Sequence, residues 1–271
     1  MKKVLLALIM LVTVVSCKKK DPDPEHTAGF SFAATGGDFR APAEISFTPT
    51  ENLGNASYLW DFGDGTTTTE VNPKKVYTTG GDKTIRLSLT ANGSTKTETK
   101  TLTVEAPYTK VRIKKSTILS AATAYPNGTG WDVLNSGTVY VTGGPDVYIA
   151  ARFGTTGNAS YSTAIKTNVS AVQLTNGSLF WEHSGTGVLL SNSPASEPDL
   201  TIQLRDADEN STAWSSAYET MGTAVLKLSD LMTVGNKYPT SIEIKGAASS
   251  NSTTSYLNNA LRLKLELSWE K

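Results

Sequence analysis

LTIQLRDAD, Leu200 to Asp208, alternates Leu200, Ile202 and Leu204 with Thr201, Gln203 and Arg205. That period of two is the pattern of a strand with one face in a core. The same step lands next on Asp206 and then on Asp208. Carboxylates are not buried unpaired, because desolvation costs them too much. The strand therefore either leaves its sheet by Asp206 or meets something positive there.

Outward from this stretch the same alternation recurs. In the first half it predicts strands at Phe30/Phe32, Ile45/Phe47, Tyr58/Trp60/Phe62, Ile85/Leu87/Leu89 and Leu102/Val104. In the second half it predicts them at Val111/Ile113, Val147 to Phe153, Ile165, Leu179/Trp181, Leu200 to Leu204, Ala224 to Leu228, Ile242/Ile244 and Leu261 to Trp269. The last is the cleanest, with Arg262, Lys264, Glu266 and Ser268 between its apolar residues. No sustained helical periodicity appears, and Thr, Ser, Asn and Gly fill the intervals as turn chemistry. The chain reads as all-β, two β-sandwich domains in tandem, divided at EAPYT, Glu105 to Thr109.

The N-terminus reads as an address. Met1, Lys2 and Lys3 precede the apolar run Val4 to Val15, which is too short to span a bilayer and ends at a small residue. VVSC, Val14 to Cys17, resembles a bacterial lipobox. On that resemblance residues 1–16 are a signal peptide and Cys17, the sole cysteine, receives lipid. Residues 17–28 follow as a charged, proline-containing tether. KKKDPDPE after the cysteine resembles lipoproteins of the Bacteroidetes type, which implies attachment to the outer membrane through the lipid anchor. Loss of Lys2 and Lys3 leaves 23 basic against 25 acidic residues, so no basic patch invites nucleic acid. A single cysteine excludes an intrachain disulfide. The chain stops two residues after Trp269, and on this reading no sorting domain follows.

YLWDFGDGTTTTEVNPKKVY, Tyr58 to Tyr77, closely resembles the PKD domain, an immunoglobulin-like module of surface proteins. The likeness spans residues 29–105 and implies a spacer or contact surface; Lys75 stands where that family often has histidine. Trp60 and Phe62 are expected in the core, and Asp61 and Asp64 are expected to bond backbone amides of a tight turn.

Residues 108–271 look like a C2 domain: GGPDVYIAARF, then Lys166 to Trp181, then LRDAD, then Met221-Gly222 and Leu228 to Leu231 follow in that family's order. The resemblance implies an eight-strand sandwich with Asp206 and Asp208 at its open end, facing loops that carry Asp146 and Asp132. Three or four converging carboxylates suit calcium, which takes hard oxygen ligands. The structural alternative is that these aspartates cap turns. Val147 replaces the usual proline, and Ala213 and Trp214 stand where a further aspartate is expected, which favours turn capping.

Catalytic patterns are thin. His26 lies in the tether and His183 beside Trp181 and Glu182, where a histidine is more often a surface or hydrogen-bonded residue than a base. No nucleophile elbow, zinc-protease motif or phosphate loop appears. The expectation is therefore a non-enzymatic, lipid-anchored binding or adhesion protein whose ligand is a protein or a carbohydrate. A glycan-capturing lipoprotein serving a transporter or hydrolase is the alternative, with Trp131, Tyr140, Trp214 and Tyr218 as loop aromatics. A third reading is a hydrolase using loop carboxylates, which needs two of them converging in a pocket.

Overall fold

The computed structural model describes residues 25–128, 131, 144–154, 161–207 and 218–271. Cys17, Asp132, Tyr140, Asp208 and Trp214 lie outside them. The described chain is nearly all β and forms two sandwiches in tandem along the sequence.

Seven strands make the first: β1 Phe30–Ala34, β2 Ala43–Pro49, β3 Ser57–Asp61, β4 Thr67–Thr68, β5 Lys74–Tyr77, β6 Gly81–Ala91 and β7 Ser94–Val104. They order as β1-β2-β5 and β4-β3-β6-β7. Trp60 is fully buried, with Phe30 edge-on at 5.2 Å and Phe47 at 5.7 Å. Its indole N–H donates to the Glu70 carbonyl at 3.0 Å, so the largest core residue leaves no polar atom unpaired. The turn after β3 behaves as expected. Asp61 accepts from the Gly63 amide at 3.0 Å, and Asp64 from the Thr66 amide at 3.1 Å. Gly63 sits at φ 68°, and a Cβ there would lie 2.6 Å from the Thr84 nitrogen. Only glycine fits that turn.

β7 ends its sheet order, and its inner track is unusual. Leu102 and Val104 are buried, but the same track carries Lys96, Glu98 and Lys100, all half-buried. Lys96 pairs with Glu25 at 2.7 Å, and the Lys100 ammonium lies over the Phe30 ring at 5.0 Å.

The second sandwich uses β8 Lys110–Ser120, β9 Val147–Phe153, β10 Tyr161–Ser162, β11 Leu179–Glu182, β12 Val188–Ser191, β13 Leu200–Ala207 and β14 Tyr218–Leu226. The short pair β15 Met232–Thr233 and β16 Asn236–Lys237 follows, then β17 Ser241–Lys245 and β18 Arg262–Glu270. One sheet orders as β10-β9-β13-β14. The other runs β11-β8-β18-β17, with β12 also on β8. Leu263, Leu265 and Leu267 of β18 and Val147, Ile149 and Ala151 of β9 share one core.

Two expectations are corrected here. Ile165 is not in a strand; it is 48 % exposed, and only its neighbour Lys166 bridges to Val147. Helices are present: α1 Ala171–Thr175 and α2 Ser252–Ala260. The second is held at its start by Asn251, whose side chain accepts from the Thr254 amide at 3.0 Å. Near its end the buried Asn258 accepts from the Thr223 amide at 2.7 Å and donates to the Ala247 carbonyl at 2.8 Å. Tertiary bonds of this kind override the weak helix propensity of Ser, Thr and Asn.

By compactness the described residues fall into two units. One holds the chain up to Phe32 with Phe47–Pro73 and Lys83–Thr101; the other holds Ala33–Ser46, Lys74–Asp82 and Leu102–Lys271. Inside the latter, the Lys237 ammonium donates to the carbonyls of Asp38, Arg40 and Pro42 at 3.2, 2.7 and 3.2 Å.

Candidate functional site

β13 does not leave its sheet at Asp206. Asp206 pairs with Val147 on β9 and with Glu219 on β14, and it is fully buried. It continues the core track beyond Leu204, and what waits there is an amide. Asp206 Oδ1 accepts from the Asp146 backbone N–H at 2.8 Å, while the Ala207 amide donates to the Asp146 carbonyl at 2.7 Å. The Asp146 carboxylate in turn accepts from the Asn168 amide at 2.8 Å. The two aspartates thus meet at one strand end, and each spends one oxygen holding backbone. Among the described residues no group of three His, Cys, Asp or Glu is arranged to hold a metal ion.

Trp131 is not an exposed loop aromatic. It is 5 % exposed, its indole N–H donates to the Ala122 carbonyl at 3.1 Å, and its ring lies 4.3 Å from Tyr125. Burial of an indole whose N–H finds a partner outweighs the polar, glycine-rich sequence around it. It nevertheless lines one wall of an open cleft of about 330 Å3, with Thr123, Pro145, Val169, Ser170 and Leu174. Gly144 makes that cleft possible: a Cβ there would lie 2.0 Å from the Val169 carbonyl oxygen, so two backbones cross at the cleft floor. Tyr218 begins β14, opposite Ala207.

A polar chain with no signal in the sequence crosses between the sheets. The Tyr161 hydroxyl lies 2.6 Å from His183 Nε2 and 3.0 Å from the buried Ser116 hydroxyl. Burial pushes the Tyr161 phenol up to about 12, and burial holds the His183 imidazole below its ordinary value. Ser116 is fully buried and Tyr161 nearly so, which makes this chain a cross-sheet strap. These three residues lie 22 and 45 positions apart, so spacing gave no hint of them.

Comparison with known proteins adds the following. Residues 21–106 match the family model of the PKD domain. Collagenase ColA of Bacillus cereus is 38 % identical over 82 residues, a segment that is 28 % of this chain and 8 % of the collagenase. The PKD1 domain of Vibrio anguillarum Epp is 28 % identical with a TM-score of 0.24, covering 30 % of this chain and all of that one. A chain of extended synaptotagmin 2, holding its SMP domain and two C2 domains, is 11 % identical with a TM-score of 0.29, over 80 % of this chain and 51 % of that one.

Proposed function

We propose that this chain is a lipid-anchored, non-catalytic surface protein of the outer membrane that captures a glycan at the Trp131 end of its second sandwich, with the PKD segment as spacer. The cleft beside Trp131 carries this reading. Its volume lies at the lower end of ligand sites, the size for a terminal sugar ring, and it sets apolar walls against the Thr123 and Ser170 hydroxyls. The anchor is supported by Lys2, Lys3, the Val4 to Val15 run and Cys17. Thr123 is exposed, so Thr123→Trp fills the cleft without disturbing the core. On a glycan array the wild type is expected to retain a defined set of sugars that this variant loses at unchanged melting temperature. Equal binding by both proteins refutes the assignment.

Calcium dependence is a second reading, favoured by the meeting of Asp146 and Asp206 at one strand end with Asp208 two residues on. At extracellular-type affinities of roughly 10⁻⁴–10⁻³ M, 10 mM calcium should raise the melting temperature by mass action. The Asp206→Asn, Asp208→Asn double variant should lose that rise. A wild type indifferent to calcium ends this second reading and leaves the first untouched.

A further inference from the structure

The cleft beside Trp131 has a floor and a rim of different chemistry. Trp131, Pro145, Val169 and Leu174 line it as buried residues, while Thr123, Ser170 and Ala171 line it as exposed ones. Among the described lining residues none is charged. Polar groups around the floor are already paired. The Trp131 indole N–H donates to the Ala122 carbonyl at 3.1 Å. The Pro145 carbonyl receives the Val169 amide at 2.9 Å, and the Leu174 carbonyl receives the Ala121 amide at 2.8 Å. On the rim, Ser170 caps α1 and spends its one hydroxyl proton on Gln173 Oε1 at 2.9 Å. The Thr123 hydroxyl has no hydrogen bond to another described residue. Among the described residues the cleft therefore offers one uncommitted side-chain donor, at its mouth, above an apolar floor.

We infer that the occupant of this cleft is a terminal 6-deoxyhexose, with its methyl group on the apolar floor and its ring hydroxyls toward Thr123 and water. The inference rests on the glycan reading above and narrows it to one class of sugar. Most sugars carry a hydroxyl on nearly every carbon, so whichever part reaches the floor brings a hydroxyl that finds no partner there. A hydroxyl stranded in that way weakens binding. The 6-deoxy sugars are the exception, because their exocyclic carbon is a methyl that projects from the ring. Apolar walls hold it by van der Waals contact with no hydrogen bond lost. An N-acetyl sugar also carries a methyl, but its amide N–H and carbonyl enter beside it. The carbonyls there already hold the Val169, Ala121 and Trp131 N–H groups. A uronate or sulfated sugar would set charge against the same wall, with no cation among the described lining residues to meet it.

Calorimetry and saturation-transfer NMR on the full mature chain test this with matched methyl glycosides. The pairs are the L-fucoside against the L-galactoside and the L-rhamnoside against the L-mannoside, each differing by a single hydroxyl on the exocyclic carbon. The N-acetylglucosaminide is a further arm. At least one deoxy sugar should bind about tenfold or more tighter than its own hydroxylated partner, the loss expected of one stranded hydroxyl. Its methyl protons should receive stronger saturation than any ring proton. Thr123→Trp should abolish binding. Val169→Thr, which places a hydroxyl on the floor, should narrow the preference within the pair; the wild-type comparison decides without this variant should it fail to fold. A wild type that binds none of these sugars, or a Thr123→Trp protein that binds them equally, overturns the glycan reading and this inference together. Binding that Thr123→Trp abolishes, but in which the hydroxylated partner or the N-acetyl sugar is held as well or better, overturns this inference alone. So does saturation centred on the ring protons, or a folded Val169→Thr protein with unchanged preference.

Discussion

Asp206→Ala isolates what the buried carboxylate does. In the wild type its Oδ1 receives the Asp146 amide at 2.8 Å, at a position with no solvent to replace it. Truncation removes that acceptor and leaves the Asp146 N–H with nothing to bond. A buried amide left unpaired costs about 1–3 kcal/mol, and a hydrogen bond to a charged group contributes about 1.5–3 kcal/mol. These overlap, so about 3 kcal/mol is the expected loss. A chain of this size shifts by about 2–4 °C per kcal/mol, which makes the drop about 6–12 °C. Asp206→Asn keeps an oxygen in place and should fall by no more than about a third of that. Thermal melts followed by circular dichroism, run in EDTA, make the comparison free of metal. If Asp206→Ala melts within about 2 °C of wild type in EDTA, the carboxylate is not holding the Asp146 loop and the capping argument fails.

Four further outcomes are expected. Cys17→Ala should move the protein from the membrane to the soluble fraction and abolish incorporation of labelled fatty acid. Trp60→Ala, which empties a fully buried site between Phe30 and Phe47, should cost about 3–5 kcal/mol in urea unfolding. Gly144→Ala forces a Cβ against the Val169 carbonyl and should cost about 1–3 kcal/mol, read as a lower urea midpoint. The His183 imidazole is held below its ordinary value by burial, so the unfolded chain takes up its proton first as pH falls. Its stabilising contribution is present above about pH 6.5 and is lost as pH drops through the lower folded-state value. His183→Gln should flatten the melting-temperature profile in that window; an unchanged slope shows that His183 does not set it.

Residues that act locally were legible in the sequence. Trp60, Phe62 and the Asp61 and Asp64 turn announce themselves because strand alternation, glycine and short-range aspartate bonds all lie within one short stretch. The Leu200 strand was legible up to Leu204, and the odd position of Asp206 was visible too. The C2 resemblance brought the Asp146 loop to it, but that the Asp146 backbone amide is what bonds it was not legible, because a backbone group 60 residues away carries no sequence mark. Trp131 misled for a related reason: Gly128 and Gly130 make its surroundings look like an exposed loop, while its environment is set by Ala122 and Tyr125. The helix at Ser252–Ala260 was hidden by composition, since Ser, Thr and Asn favour turns until a partner such as Thr223 fixes them.

The three charged residues on the inner track of β7 bear on how the protein behaves at high concentration. An eleven-residue strand at the end of a sheet is a template on which a neighbouring molecule can add its own strand. Any strand docking there would have to bury Lys96, Glu98 and Lys100 along with its own side chains, at a desolvation cost that backbone pairing does not recover. Tightly packed copies of this chain should therefore stay separate molecules and not zip into fibrils. Replacing Lys96, Glu98 and Lys100 together by valine should convert a clear concentrated solution into one that binds thioflavin T.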